Sequence, residues 1–204
     1  MINRFCFIIP VYNSEMYIKR CIDSVTRQVF KNWRAIIIDD CSTDNTSNII
    51  KCNIDADKMI LIENDQNMKQ AYSRYIAYNQ TDDDEICIML DGDDWLYDEH
   101  VLSKLNNLYT ERDINVTYGG FVKYENNCTD LHINARAEFP DEVVMNKSYR
   151  TYTKYKTNGI KYTPWISQHM RTVRSHIIKQ IPKEHLMFQG KWLKAVTDQA
   201  EMFF

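Results

Sequence analysis

The chain has 204 residues, 44% of them hydrophobic and 26% charged, which suits one large domain with a substantial core. A net charge of −3, with no Lys/Arg block, excludes a general nucleic-acid or acidic-membrane surface, because basic patches drive such binding. The six cysteines form no Cys-x-x-Cys pair, and Cys6 and Cys87 sit in apolar runs, so buried free thiols are expected rather than zinc.

Strand-like and helix-like segments alternate through the first half. Phe5 to Ile9 reads as a strand, and its short apolar run ends at Pro10 with no signal-peptide cleavage pattern. Ser14 is placed to cap a helix over about 15–28, with Ile18, Cys21, Ile22 and Val25 as its apolar stripe. A second strand over 34–38 ends in Asp39-Asp40, and Asp44 opens a short helix to about Cys52. Strands over 59–62 and 85–90 flank a helix over about 69–80. A helix over about 99–109 leads to a fifth strand at Val116-Thr117-Tyr118. This order implies a mostly parallel sheet flanked by helices. Beyond Gly119-Gly120 the pattern weakens, and residues 121–163 read as an acceptor-side lobe or loop. A strand is expected over 166–171, a helix over 173–180 broken by Pro182, and helical pattern from Lys191 onward. The apolar end at Phe203-Phe204 suggests truncation of a longer chain or a covering partner. No segment approaches membrane-span length, so a cytoplasmic setting is expected.

Three polar clusters end three strands: Pro10 to Asn13, Asp39 to Ser42, and Asp91 to Asp94. In a parallel sheet all three emerge at one edge and can converge on one ligand. Asp91, Asp93 and Asp94 repel one another unless a cation joins them. Hard oxygen ligands favour Mg²⁺ or Mn²⁺ holding a phosphate-bearing substrate. The alternative is an acidic turn capping the next helix. Asp39-Asp40 could likewise form a turn and helix cap, a task open also to Ser42 and Asp44.

The segments "IIPVYN" at 8–13, "IIIDDCSTDNT" at 36–46 and "IMLDGDDW" at 88–95 resemble family 2 glycosyltransferases with the GT-A fold, in the same order and at similar separation. The likeness covers residues 4–120 well and 164–204 loosely, and implies a single GT-A domain with a nucleotide-sugar-binding half (1–120) and an acceptor-side half (121–204). It implies a nucleotide-sugar donor, UDP-sugar favoured, a divalent metal (Mn²⁺ or Mg²⁺), and direct displacement with inversion onto a glycan, glycolipid or glycoprotein acceptor. By this resemblance Pro10 and Tyr12 line the base pocket and Asp40, beside Asp39, accepts from a pyrimidine N–H. Asp91 and Gly92 lie near the ribose or base, and Asp93 and Asp94 bind the metal. Arg74 stands where the family has a donor-contacting arginine, a surface salt bridge being the alternative. The family's glycine before it and asparagine after it are replaced here by Lys69 or Gln70 and by Tyr75. Asp198 fits the general base, its apolar neighbours raising its pKa, with Glu201 as rival. His169 could complete the metal or diphosphate site, Arg171 and Arg174 could meet the diphosphate, and Trp95 and Trp165 could wall the sugar pocket. Asp82-Asp83-Asp84 reads as a solvated loop.

Other readings fall away on specific absences. A sugar-nucleotide pyrophosphorylase needs a Gly-rich loop after the first strand, and residues 10–14 contain no glycine. A haloacid-dehalogenase-type phosphatase needs Asp-x-Asp there. An EF-hand fails on Trp95 at a ligand position and on the missing sixth-position glycine. A dinucleotide-binding oxidoreductase lacks Gly-x-Gly-x-x-Gly. The remaining alternative is a glycosyltransferase-like domain that binds nucleotide or glycan without turnover.

Overall fold

Strict side-chain alternation along the first strand divides the core in two. In the computed structural model, which describes residues 2–119, 123–125, 128–130, 155–157, 160–162 and 170–194, strand β1 spans Arg4–Val11 and is buried over nearly its whole length. Phe5, Phe7, Ile9 and Val11 enter one apolar cluster, while Cys6 and Ile8 enter another on the opposite face. A strand buried on both faces must lie inside a sheet covered by helices on each side.

The elements that follow supply those layers. Helix α1 (Ile18–Thr26), strand β2 (Trp33–Asp39), helix α2 (Thr46–Asn53), strand β3 (Met59–Glu63), helix α3 (Gln70–Tyr78), strand β4 (Glu85–Met89) and helix α4 (Val101–Glu111) come in turn. Helices α1, α2 and α4 contribute Ile18, Ile22, Ile50 and Leu102 to the first cluster; α3 contributes Ala71, Ala77 and Tyr78 to the second. Each fully buried aliphatic side chain of this kind contributes about 1.5–3 kcal/mol. After β5 (Val116–Thr117), the pairs β6 (Lys123–Glu125) with β7 (Cys128–Asp130) and β8 (Tyr155–Thr157) with β9 (Ile160–Tyr162) form separate hairpins. Strand β10 (Arg171–Arg174), helix α5 (Ser175–Ile178), a 3₁₀ turn over Lys183–Leu186 and the hairpin β11 (Met187–Phe188)–β12 (Lys191–Trp192) complete the described chain.

The main sheet has the order β3-β2-β1-β4-β10-β5. Strands β3, β2, β1 and β4 run parallel; β10 is antiparallel to both β4 and β5. The chain therefore winds outward from β1 to β3, then returns to place β4 on β1's other side. Ligands of open α/β sheets bind at such a reversal, beyond the carboxyl ends of the strands.

Several expectations shift. Of the strand expected over 166–171, residues 166–169 lie outside the described residues; β10 covers Arg171–Arg174, so Val173 pairs with Cys87 in the sheet instead of opening a helix. Two β-branched residues, Thr172 and Val173, favour that outcome. Lys191 and Trp192 are a hairpin strand, not helix, and Trp192 packs on Tyr72 and Tyr75 of α3 at ring separations of 5.3 Å. Ser14 does not cap with its hydroxyl, which donates to Tyr12 O; its carbonyl instead accepts from Tyr17 and Ile18 N–H, and α1 starts later. Cys6 and Cys87 are buried free thiols as expected. The Asp82–Asp84 run is exposed, tied by ion pairs to Arg4 and Lys179.

The sheet's other end is clamped separately. Glu85, only 1% exposed, accepts from Arg34 Nε at 2.7 Å and Arg34 Nη2 at 2.8 Å, which joins β4 to β2 across β1. A bidentate guanidinium–carboxylate pair compensates the desolvation of that buried anion. Arg174 lies at this same end, opposite Ile86, with Nε donating to Ile114 O and its guanidinium 5.3 Å from the Tyr109 ring. It is therefore remote from the strand carboxyl ends and is withdrawn as a diphosphate contact. Arg171, opposite Met89, stands at the correct end and is buried.

Candidate functional site

Beyond the ends of β1, β2 and β4 lies an open cleft of about 220 Å³, lined by Pro10, Val11, Tyr12, Ser14, Asp40, Gln70, Ser73, Asp91, Gly92 and Asp93. It sits at the reversal between β1 and β4. Each expected cluster contributes, and so does the start of α3, which sequence reasoning credited only with Arg74.

Backbone bonds draw the clusters together. Leu90 N donates to Ile8 O and Gly92 N to Pro10 O, which extends the β1–β4 pairing into the loops, while Asp40 N donates to Val11 O. Gly92 is required by this approach: a Cβ there would lie 2.7 Å from Val11 Cγ2 and 2.8 Å from Val11 Cβ. The turn Asp91–Asp94, closed by Asp94 N on Asp91 O, is thereby pressed against the Pro10–Tyr12 segment. Asn13, in the left-handed region at φ 49°, accepts Thr43 N on its side chain and donates its N–H to Ser42 Oγ.

The carboxylates divide by partner. Asp39, 2% exposed, accepts Ser42 N at 3.0 Å and Ser42 Oγ at 2.5 Å, and so closes the turn after β2. It does not line the cleft. Asp40 does, and its Oδ1 accepts Asn64 Nδ2 at 2.8 Å and Met68 N at 2.7 Å while Oδ2 accepts Lys69 N at 2.8 Å. Three of a carboxylate's roughly four acceptor directions are thus spent on the β3–α3 loop. Asp91 accepts Arg74 Nη2 at 2.8 Å and Gln70 Nε2 at 3.1 Å, both on Oδ1. Arg74 is 1% exposed, so the surface-salt-bridge alternative is excluded; it is a buried counter-charge that orients Asp91.

Arg74 offsets the charge of Asp91, and Asp93 and Asp94 follow it in the same turn. Asp93 is exposed at the cleft and Asp94 half-buried. Among the described residues no group of three His, Cys, Asp or Glu side chains is placed to hold a metal ion by itself. Two carboxylates suit a Mg²⁺-like ion whose remaining ligands are substrate phosphates and water. Cys21, buried beneath the turn with Sγ 3.9 Å from Asp91 O, has its thiol pKa pushed far up by burial and then by Asp94, Asp91 and Asp93. It stays a neutral, inert thiol in the core beneath the turn.

Trp95 packs under the Arg20 guanidinium, 3.8 Å from the ring centroid, a cation–π contact on α1's side of the turn. Asp198, Glu201, His169 and Trp165 lie outside the described residues.

Lys69 stands at or beside the position where the family has a glycine, and its backbone keeps a glycine's conformation. It occupies φ 78°, ψ 160°, a backbone region essentially reserved for glycine. The strain is held by its N–H on Asp40 and by Nζ on Asn67 Oδ1 at 2.7 Å. Lys69→Gly is expected to raise stability by about 1 kcal/mol, read as a higher urea midpoint with an unchanged slope. A lower midpoint would mean the backbone there is not strained.

The sequence model of the family described as glycosyl transferase family 2 matches residues 6–181. The chain belongs to glycosyl transferase family 2. Among curated relatives, glycosyltransferase GlyA of Streptococcus pneumoniae is 23% identical over 179 residues, covering 88% of this chain and 25% of its own length. WfaP of Escherichia coli, a UDP-Glc:alpha-D-GlcNAc-diphosphoundecaprenol beta-1,3-glucosyltransferase, is 31% identical over 180 residues, covering 76% of this chain and 70% of its own. The crystal structure of residues 1–349 of Staphylococcus aureus TarS with UDP-GlcNAc superposes with a TM-score of 0.66 at 21% identity, over 98% of this chain and 52% of that one. The fold is GT-A, as the three ordered motifs led one to expect. The chain spans 25%, 39% and 45% of three of its curated relatives, so they carry substantial further sequence. No helix among the described residues is long and apolar enough to cross a membrane.

Proposed function

We propose that the cleft binds the nucleoside diphosphate of a UDP-sugar and that the chain transfers its sugar to an acceptor hydroxyl with inversion. The observation that carries this reading is convergence at the sheet reversal: Pro10 and Tyr12 from β1's end face Asp91, Gly92 and Asp93 from β4's end across one cleft. Similarity to TarS, crystallised with UDP-GlcNAc, and to WfaP, named for UDP-Glc, supports the choice of nucleotide.

Division of labour follows from the partners. Tyr12, 47% exposed, offers an aromatic face to the base or ribose. Asp91, oriented by Arg74 and Gln70 at the cleft, would accept from a donor hydroxyl. Asp93 and Asp94 would hold Mn²⁺ or Mg²⁺, whose chemistry there is neutralisation of the diphosphate as a leaving group. Asp198 takes the acceptor hydroxyl's proton as the new bond forms. The acceptor is a glycan, glycolipid or glycoprotein hydroxyl.

The test is turnover. Incubated with UDP-glucose or UDP-N-acetylglucosamine and a panel of glycan, glycolipid and glycoprotein acceptors, the chain is expected to release UDP as the sugar passes to an acceptor hydroxyl, with an Asp198→Asn variant slower by about 100-fold or more, the usual worth of a general base, and with UDP affinity retained. Equal turnover in that variant would remove Asp198 from the mechanism. Nucleotide binding without UDP release from the wild type would make the chain a binding domain.

A further inference from the structure

Residues 69–70 connect two of the carboxylates that face the cleft. Lys69 N–H donates to Asp40 Oδ2 at 2.8 Å, and Gln70, the next residue, opens α3 and reaches Asp91. Asp40 belongs to the end of β2, Asp91 and Asp93 to the end of β4, and β1 lies between those strands. A nucleotide that meets Asp40 with its base and Asp93 with its diphosphate therefore carries its ribose past Asp91 and Gln70. Gln70 is half-buried and lines the cleft. Its Nε2 donates to Asp91 Oδ1 at 3.1 Å, and an ionised carboxylate can only accept, so this contact fixes which edge of the amide is NH₂. Oε1 is left as an acceptor, and no described residue donates to it. The middle of the cleft thus sets two acceptors side by side, the Asp91 carboxylate and Gln70 Oε1.

We propose that Gln70 makes the site selective for ribonucleotides: its Oε1 accepts from one hydroxyl of the donor's ribose while Asp91 accepts from the other. A ribose cis-diol carries two O–H donors on adjacent carbons, which matches two neighbouring acceptors joined by one hydrogen bond. A deoxyribose supplies only one and leaves a half-buried acceptor facing a C–H group. A site built to bind an O–H rejects the analogue that lacks it, because its own polar group is then unpaired. Gln70 so acts twice, orienting Asp91 through Nε2 and reading the ribose through Oε1. This rests on the donor-site reading above and deepens it.

The experiment is calorimetric titration of UDP, 2′-deoxy-UDP and 3′-deoxy-UDP, with Mn²⁺ present, into the full chain and into a Gln70→Leu variant. The wild type is expected to bind UDP about tenfold more tightly than either deoxy analogue, one hydrogen bond's worth each. In Gln70→Leu, UDP weakens about tenfold; its advantage over one deoxy analogue disappears, and its advantage over the other, which reports Asp91, stays. Gln70→Met, which keeps the length of the side chain, is expected to repeat this pattern. Equal wild-type binding of all three nucleotides would overturn the proposal and leave the donor site standing. So would a Gln70→Leu variant that keeps both preferences. Loss of both together would reduce Gln70 to a support of Asp91 and overturn its contact with the ribose. A wild type that binds no uridine nucleotide would overturn the donor reading together with this one.

Discussion

Asp91→Ala is expected to lower stability by about 3 kcal/mol, because it takes away a carboxylate that faces a buried guanidinium. Arg74 is 1% exposed and its Nη2 lies 2.8 Å from Asp91 Oδ1. Asp91, at 22% side-chain exposure, reaches solvent and also has Gln70. The two halves of the pair are therefore unequal. Arg74→Met strands a carboxylate that water and Gln70 can still serve, and is expected to cost less, about 1–2 kcal/mol. For a chain of this size the Asp91 loss corresponds to a fall in melting temperature of about 10 °C. Differential scanning calorimetry of both variants checks the order; an Asp91→Ala variant more stable than Arg74→Met would contradict the buried-charge account. Both variants are also expected to lose UDP binding, since Arg74 sets the direction of the carboxylate the ligand meets.

Asp40→Ala is expected to free the β3–α3 loop and abolish nucleotide binding at a cost of about 3 kcal/mol. Its carboxylate holds two main-chain N–H groups, Met68 and Lys69, and the Asn64 side chain, each at 2.7–2.8 Å. Charge-assisted bonds of that length contribute about 1.5–3 kcal/mol apiece when lost singly, and less than additively together. Removing them also leaves the strained Lys69 backbone with only its Nζ contact to Asn67, so the loop relaxes. Asparagine is no rescue, because its NH₂ would face at least one of the same donors. Amide hydrogen exchange reads the outcome directly: Met68 and Lys69 lose protection in Asp40→Ala while Ile8 and Ile88, in the sheet centre, keep theirs. Retained protection at Met68 and Lys69 would show that the loop is held by other contacts.

These two residues also show where the sequence was informative and where it was silent. The apolar runs of β1, β2 and β4 are long, bounded and end in polar clusters, so the parallel core and the edge bearing the site followed from pattern alone. The three ordered motifs then gave the family. Pattern could not say which acid does what. Asp39 and Asp40 are adjacent and chemically alike, yet one closes a turn through Ser42 and the other anchors a loop some 28 residues away in sequence. Nothing in the local sequence distinguishes them, because their partners arrive through tertiary packing. The sequence leaves Arg74 open between a donor contact and a surface salt bridge; its burial follows from α3 lying over the β1–β4 reversal. Gln70 had one available signal, its position a turn before Arg74 on the same helical face. The second half misled for a different reason: Thr172 and Val173 sit beside helix-compatible residues, and only pairing with β4 and β5 makes them strand.

The proposed metal-assisted binding of a uridine diphosphate in the cleft between the ends of β1 and β4 is tested by calorimetric titration of UDP into the chain, with Mn²⁺ and then with chelator. The predicted result is one site per chain whose affinity rises at least about tenfold with Mn²⁺, and which Asp93→Ala renders indifferent to the metal. UDP binding that ignores Mn²⁺ and survives Asp93→Ala unchanged, or no UDP binding at all, would contradict it.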